Sequence, residues 1–395
     1  MEDMEIRQIS VDERLTTTFP LQAYAFSPSP LPEEEVERYR KRLRYFETTT
    51  CLIAEEAGET LAAAASLPMR QNVRGLVHDM AGIAGVVSHP SARRRGLVRE
   101  LLTRLLRQTR EQGCTVSALY PFRPSFYARF GYVGIPHSRK ARFTPESLSE
   151  LLRRDLPGSV ERVPIREGFP AYDGLQHRLL AERHGFAVFD ETRAAEFRED
   201  RLWVALARVG DEVVGGVRYR IDDHGGDLLG SNLFSTSPLG RALLLQFFAR
   251  HVDQVSTIEV FLGADEFPEL WGTDMTVTTS ATVDSPNHNA PMVRVLDVPG
   301  LAGSLVGSGG ITVEVVGDEL IGGVWELGAD DGQLTVKPGG TPSATLTAGG
   351  FSALAYGALD PAEVVTRGLG ELDADAMGRL GALFPRRMPY LFAEF

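Results

Sequence analysis

The feature that most constrains this chain is an apolar strand that breaks into a basic turn and then opens a long helix. The strand reaches Val87, the turn is Arg93-Arg94-Arg95-Gly96, and the helix begins at Leu97. Leucines at 97, 101, 102, 105 and 106 have helical spacing, and Gly113 is a natural stop, so the sequence predicts a helix over 97–112. The first N–H groups of a helix are free, its dipole is positive there, and glycine lets a ligand approach closely. The segment therefore predicts an anion site at the helix start.

A plainer interpretation of the same residues is a solvated helix start with three exposed arginines, which alone would be the better explanation. However, arginine is unfavourable beside a positive helix end unless an anion is present. We therefore favour the anion site, with the solvated turn as the alternative.

Composition limits the class of protein. A chain of 395 residues with 43% hydrophobic and 24% charged residues is long enough for two or three globular domains. No apolar run approaches 18 residues, and the first five residues, Met-Glu-Asp-Met-Glu, do not form a signal peptide. The sequence predicts a cytoplasmic protein without a membrane span.

Net charge and cysteine content limit the classes of partner and metal that the chain is expected to bind. The formal net charge of −12 argues against a nucleic-acid surface and slightly favours cationic partners, although acidity for solubility alone is the better explanation. Cys51 and Cys114 lie in apolar stretches and are expected to pack in cores. Neither they nor the histidines have metal-ligand spacing, so we expect no metal.

The order of elements around the basic turn recurs later in the chain. The first unit reads as a helix over 31–46, strands over 51–56, 61–67 and 77–87, the helix over 97–112 and a strand over 115–119. The second reads as strands over 201–209, 213–221 and 227–234, a helix over 240–252 and a strand over 257–262. Its turn, Thr236-Ser237-Pro238-Leu239-Gly240-Arg241, has one arginine and a proline. We predict that this second unit is a structural repeat of the first that lacks the anion site.

The remainder has a different character. From about residue 293 glycines cluster, and predicted strands over 311–316, 320–327, 332–337 and 344–348 precede helices over 351–357, 361–367 and 374–384. Strands followed by helices indicate an α+β unit.

The basic turn and the residues after it carry a resemblance. Arg93-Arg94-Arg95-Gly96-Leu97-Val98 resembles the GNAT acetyltransferase signature, Arg or Gln, two residues, Gly, one residue, Gly or Ala, except that Val98 replaces the small residue. Val86-x-x-x-Pro90, Leu119-Tyr120-Pro121 and Tyr127-x-Arg-Phe-Gly-Tyr132 are similar to the Eis ("enhanced intracellular survival") family of bacterial acetyltransferases that modify amines. The resemblance runs the whole length.

The resemblance implies a fold class and a domain organisation. It implies α/β and α+β architecture, with two GNAT-like domains followed by a sterol-carrier-protein-like domain. We place the catalytic GNAT domain at 1–145, the degenerate GNAT-like domain at 146–291 and the sterol-carrier-protein-like domain at 292–395.

The resemblance also implies acetyl-CoA as the co-substrate. Its pantetheine arm is expected along the strand end at Val86, Val87 and Ser88. Its phosphates are expected at Arg94, Arg95, Gly96, Leu97, Val98 and Arg99, with added charge from Arg93.

Two residues are implied as catalytic. Tyr127, the first tyrosine of its motif, corresponds to the proton donor for the departing thiolate; the alternatives are a core aromatic at this position and Tyr132 as the donor. Phe395 ends the sequence, and in the family the terminal α-carboxylate lies in the active site as the general base. The alternative for Phe395 is an apolar tail packed on the surface.

These inferences lead to one predicted function. We expect an acetyl-CoA-dependent N-acetyltransferase that acts through a ternary complex, in an open acidic cleft, on primary amines of cationic small molecules such as aminoglycosides or polyamines. By resemblance it is a homohexamer, with no nucleic-acid or membrane partner. Acetylation of protein lysines and a non-catalytic CoA-binding or lipid-binding role are the alternatives.

Overall fold

A computed structural model describes residues 4–286 and 288–395. Its elements are numbered in chain order, and they form three sheets with helices packed on them. The first sheet contains β1 (Glu5–Gln8), β2 (Thr50–Glu56), β3 (Glu59–Val73), β4 (Leu76–Ser88), β5 (Val116–Leu119), β6 (Val133–Gly134), β9 (Ala187–Phe189) and β16 (Met292–Val295). The second contains β7 (Arg139–Phe143), β8 (Ser159–Pro164), β10 (Trp203–Val209), β11 (Glu212–Ile221), β12 (Asp227–Asn232), β13 (Phe234–Ser235), β14 (Thr257–Leu262) and β15 (Val277–Ser280). The third contains β17 (Gly310–Val316), β18 (Gly323–Asp330), β19 (Gln333–Pro338), β20 (Ala344–Thr347) and β21 (Gly370–Glu371).

The α-helices follow the same division along the chain. The first unit has α1 (Thr18–Phe26), α2 (Glu33–Arg42), α3 (Leu97–Glu111) and α4 (Pro124–Ala128). The second has α5 (Ile165–Glu182), α6 (Glu191–Ala194) and α7 (Pro238–Ala249). The third has α8 (Ala348–Ala355), α9 (Pro361–Thr366) and α10 (Ala374–Leu383). No helix in the described part of the chain is long and apolar enough to span a bilayer.

The first sheet has the order β1-β2-β3-β4-β5-β16-β6, with β9 paired to β3. Strands β4 and β5 are parallel neighbours, and α3 forms the crossover between them. The predicted helix is confirmed, and all five of its predicted leucines are at most 4% exposed. Their burial against the sheet fixes where α3 begins, and therefore where the basic turn lies.

An irregularity in β4 opens the sheet at the point where α3 begins. The pairing of β3 with β4 shifts register between Ala63 and Ala65, and opposite this shift Gly85 has a φ of +58°. The pairing of β4 with β5 ends at Ile83 and Leu119, whereas β4 continues to Ser88. The end of β4 thus lacks β5 as a neighbour, and backbone groups on that side are available to a ligand.

The second sheet repeats this arrangement in part. Its order is β15-β7-β14-β12-β11-β10-β8, with β13 on β11, and the parallel pair β12 and β14 is joined through α7. The start of α7 is closed: Ser237 accepts a hydrogen bond from the Gly240 amide, and Pro238 has no N–H. A Cβ at Gly240 would lie 2.1 Å from the Val214 carbonyl oxygen, so this turn packs directly on β11. These features agree with the prediction that the second unit lacks an anion site at its helix start.

Strands cross the predicted domain boundaries. Strand β7, placed in 1–145 by the sequence, pairs with β14 and β15 of the second sheet. Strand β9, from the second unit, pairs with β3, and β16, placed in 292–395, lies between β5 and β6. The boundaries at 145 and 291 therefore do not coincide with the sheets, because short strands pair with an edge that their own sequence does not specify.

The third unit is an α+β structure around one sheet of order β19-β18-β17-β20-β21. It is joined to the first sheet by a buried ion pair between Arg294 on β16 and Asp318, whose side chains are 3% and 11% exposed. Asp318 also accepts hydrogen bonds from the Leu320 and Ile321 amides. One carboxylate thus fixes both the loop after β17 and its contact with the first unit.

Candidate active site

A cavity of about 1130 Å³ lies at the open end of β4, beside the start of α3. Its lining includes eight of the nine residues predicted to bind the cofactor: Val86, Val87, Ser88, Arg94, Gly96, Leu97, Val98 and Arg99. The ninth, Arg95, does not line it. Its guanidinium instead forms two hydrogen bonds of 2.9 and 2.8 Å with the Glu56 carboxylate. The phosphate role predicted for Arg95 is therefore not supported by its position.

The backbone at the start of α3 is suited to an anion. Gly96 is the N-cap with a φ of +86°, and no side chain caps the helix. Arg94 is also left-handed, with a φ of +65°, a conformation uncommon for a residue other than glycine. Because the first N–H groups of a helix have no partner within it, this uncapped turn presents them to the cavity.

Further cationic groups surround the same cavity. Arg93, Arg123 and Arg129 are exposed and line it together with Arg94 and Arg99. Arg123 and Arg129 are not among the cofactor-binding residues predicted from the sequence; the available signal was that Arg129 belongs to the Tyr127 motif and Arg123 lies just before it. The loop over 317–320 forms part of the opposite wall, so the third unit contributes to this cavity.

A second cavity of about 370 Å³ adjoins the first. Phe26, Val86 and Phe122 line both cavities. Tyr127 and Phe395, distant in sequence, both line the smaller one. The structure therefore places the two predicted catalytic residues in the wall of one cavity, which shares Phe26, Val86 and Phe122 with the larger one.

Tyr127 is 3% exposed, and burial, with a smaller contribution from Tyr132, raises the pKa of its phenol. The group therefore stays protonated at neutral pH, which is the form that a proton donor needs. Tyr132 is positioned differently, because its hydroxyl shares a 2.6 Å hydrogen bond with Ser117 inside the sheet. Tyr132 lines neither cavity.

The last residues of the sequence cross from the second unit to the first sheet. The Tyr390 amide donates to the His184 carbonyl at 3.0 Å, and the Phe392 ring lies 4.5 Å from that of Phe186. The Phe395 ring is 5.7 Å from that of Tyr120 and lies so close to β4 that a Cβ at Gly82 would be 3.2 Å from it. Phe395 is therefore held in the site by packing, unlike a tail on the surface.

The prediction of an acidic cleft is wrong for the smaller cavity. Among the described residues its wall contains no aspartate or glutamate, and its one charged side chain is Arg14. The net charge of the whole chain therefore did not predict the charge of this pocket.

Comparisons with known proteins agree with this geometry. Residues 5–134 match the family described as acetyltransferase (GNAT) domain. An uncharacterized N-acetyltransferase of Streptomyces coelicolor is 27% identical over 259 residues, 60% of this chain and 61% of the relative. The N-acetyltransferase Eis of Mycobacterium tuberculosis is 28% identical over 191 residues, 40% of this chain and 47% of Eis. Residues 5–134 therefore form a GNAT acetyltransferase domain, and the chain is similar to the N-acetyltransferase Eis over 40% of its length.

The sequence alignments and the structural alignment cover different shares of the chain. The chain spans about half to three fifths of the length of these curated relatives. The crystal structure of Eis1 from Mycobacterium abscessus aligns over 100% of both chains, with a TM-score of 0.78 and 20% identity, which shows a shared fold. The matched GNAT segment contains β4, the basic turn, α3 and Tyr127.

One GNAT signature position departs from the usual pattern. Val98 occupies the place of a small residue, lines the larger cavity and packs against the core beneath α3. The side chain points partly inward, so the helix start keeps its exposed backbone despite the larger residue.

Proposed function

We propose that the protein is an acetyl-CoA-dependent N-acetyltransferase that acetylates a primary amine in a ternary complex. The observation that carries this proposal is the junction of two cavities at Val86, one beside a basic, uncapped helix start and the other lined by Tyr127 and Phe395.

The larger cavity would hold the cofactor. The free amides at the start of α3 and the surrounding arginines would bind the phosphates of CoA. The pantetheine arm would lie along the open end of β4, where a main-chain N–H near Val86 would polarise the thioester carbonyl. The acetyl group would then lie where the two cavities meet.

The smaller cavity would hold the acceptor amine. Its nitrogen attacks the thioester carbonyl carbon, the C–N bond forms, and the C–S bond then breaks. The α-carboxylate that Phe395 carries as the last residue of the sequence takes the proton from nitrogen, and the Tyr127 hydroxyl protonates the departing thiolate. The reference pKa of an α-carboxyl is about 3.5, so the base is ionised at neutral pH.

The identity of the acceptor, the oligomeric state and the type of the third domain are also part of this proposal. Aminoglycosides and polyamines are candidate acceptors, and protein lysine is an alternative, but the described residues in the wall of the smaller cavity offer no carboxylate side chain to a polycation. A homohexamer and a sterol-carrier-protein-like third domain are proposed from the resemblance; light scattering would test the assembly.

The test is thiol release from acetyl-CoA with a panel of polyamines, aminoglycosides, amino acids and lysine peptides. The chain ending at Phe395 is compared with one extended beyond it by a short tag. We expect turnover by the first, and in the second a loss of at least about 100-fold in kcat with CoA binding retained. Equal turnover by both would discard the carboxylate role, and no turnover of any amine would favour a non-catalytic CoA-binding protein.

A further inference from the structure

Arg14, in the wall of the smaller cavity, has a buried guanidinium with two nitrogens that find no hydrogen-bond acceptor among the described residues. Arg14 lies in a 3-10 turn over Asp12–Leu15 and is 3% exposed. Its Nε and Nη1 atoms are buried and find no acceptor among the described residues, within which it also forms no ion pair. Burying a charge without a partner is costly, so an arginine in this position calls for an anion.

Among the described residues no carboxylate, including the α-carboxylate of Phe395, forms an ion pair with Arg14. The guanidinium carbon of Arg14 is 4.9 Å from the centre of the Phe46 ring, and that of Arg193 is 5.1 Å from the same ring. Glu196 forms ion pairs with both Arg193 and Arg42. The buried carboxylate of this region is thus already shared by two other arginines, and the surroundings of Arg14 have an excess of positive charge.

A second unpartnered donor lines the same cavity. The Thr49 hydroxyl oxygen is buried and has no hydrogen-bond partner in the described part of the chain. A guanidinium and a hydroxyl are a suitable pair of donors for an oxyanion. Most of the other lining groups are aromatic or aliphatic, among them Phe26, Leu67 and Ile83.

We propose that the acceptor is an amine that also bears an oxyanion, with a carboxylate as the class that we favour. Arg14 and Thr49 hold the oxyanion, and the amine lies toward Tyr127 and Phe395. This assignment rests on the proposed acetyltransferase function and narrows it to amino-acid-like acceptors. A polycation would place an ammonium beside an uncompensated guanidinium, which is repulsive, and the cavity of about 370 Å³ is at the small end for ligand sites.

The test compares kcat/KM, by thiol release, for acceptors that differ only in the anionic group. Phenylalanine is paired with phenethylamine, lysine with cadaverine, and β-alanine with 2-aminoethylphosphonate to separate carboxylates from phosphate-like groups. We expect the carboxylate member of the first two pairs to be preferred by roughly 10- to 100-fold, as for hydrogen bonds to a charged group. Preference for the phosphonate would identify phosphate as the source of the oxyanion.

Variants of Arg14 test whether this residue causes the preference for acceptors that bear a carboxylate. Arg14→Met removes the charge at similar length and should reduce kcat/KM for the carboxylate acceptors by roughly 10- to 100-fold, with little change for phenethylamine and cadaverine. Arg14→Lys should retain part of the preference. Arg44→Met, at an exposed arginine outside both cavities, should leave both members of each pair unchanged. Melting temperature and CoA affinity verify that each variant is folded.

The outcomes separate this inference from the function on which it rests. If amines without an anion react equally well and Arg14→Met does not alter the ratio, the inference is overturned while the acetyltransferase proposal stands. If no acceptor reacts, calorimetry on CoA-loaded protein decides the inference. N-acetylphenylalanine should bind more tightly than N-phenethylacetamide, and this difference should vanish in Arg14→Met; equal or no binding of the two would overturn it.

Discussion

Replacing Asp318 by alanine should destabilise the protein far more than replacing its neighbour Glu319. The Asp318 carboxylate forms two hydrogen bonds of 3.1 Å with Arg294, which is 3% exposed. Removing one partner of a buried ion pair leaves the other charge uncompensated, at a cost of about 3–5 kcal/mol. Two backbone amides, those of Leu320 and Ile321, lose their acceptor as well, at about 1 kcal/mol each. We therefore expect the apparent free energy of unfolding to fall by at least about 3 kcal/mol.

Urea denaturation followed by circular dichroism measures this effect, with Glu319→Ala as the matched control. Glu319 is 72% exposed and pairs with Arg107 at the surface, where such a pair contributes about 0–1 kcal/mol. Asp318→Asn keeps an acceptor for the two amides but loses the charge, so it should lie between the two. Because residues 317–320 line the larger cavity, Asp318→Ala should also weaken CoA binding in calorimetry. A loss below about 1 kcal/mol, equal to that of Glu319→Ala, would refute the assignment of Arg294–Asp318 as the link between the first and third units.

Two further predictions concern the acid and the dependence of stability on pH. Tyr127→Phe should lower kcat by about 10²- to 10⁴-fold with little change in the KM for acetyl-CoA, and a kcat within about threefold of the original would exclude a proton-donor role. His78 and His184 have their pKa lowered to about 4, chiefly by burial, from an ordinary value of 6.5. Between these values the unfolded chain binds protons that the folded chain does not, so stability should be full above pH 6.5 and fall as pH drops toward 4. Urea midpoints from pH 7.5 to 4.5 test this, and an unchanged slope in His184→Gln would contradict it.

The elements around the site follow from the sequence, but their partners do not. The predicted helix over 97–112 and the structural α3 (Leu97–Glu111) agree because its leucine spacing and its terminal glycine are local signals. Strand β3 extends to Val73, beyond the predicted Leu67, because Pro68, Arg70 and Gln71 interrupt the apolar run while the backbone remains paired with β4. The insertion of β16 between β5 and β6 depends on edges formed far away in the chain.

The candidate site divides in the same way. The anion site at Gly96 was predictable from its turn chemistry, whereas the separation of Arg94 from Arg95 depends on the left-handed backbone of Arg94, which the run of three arginines does not reveal. The meeting of Tyr127 and Phe395 was expected from the family resemblance, not from the residues themselves. Arg14 was missed because an arginine in the charged sequence Asp-Glu-Arg is typical of a solvated turn, and its burial arises only when α1 and the first sheet pack around it.

All three units are needed to complete the site. The first supplies the open end of β4, the second the aromatic surface that guides Phe392 and the residues after it, and the third the wall over 317–320. The exchange of β7, β9 and β16 between sheets fixes the units to one another through backbone hydrogen bonds. A fragment limited to residues 5–134 would lack β9, β16 and Phe395, so it would retain the basic turn but lose two strands of its sheet and part of the wall of the smaller cavity. The second unit, whose own helix start is closed, therefore contributes to the site by positioning the residues that enter it.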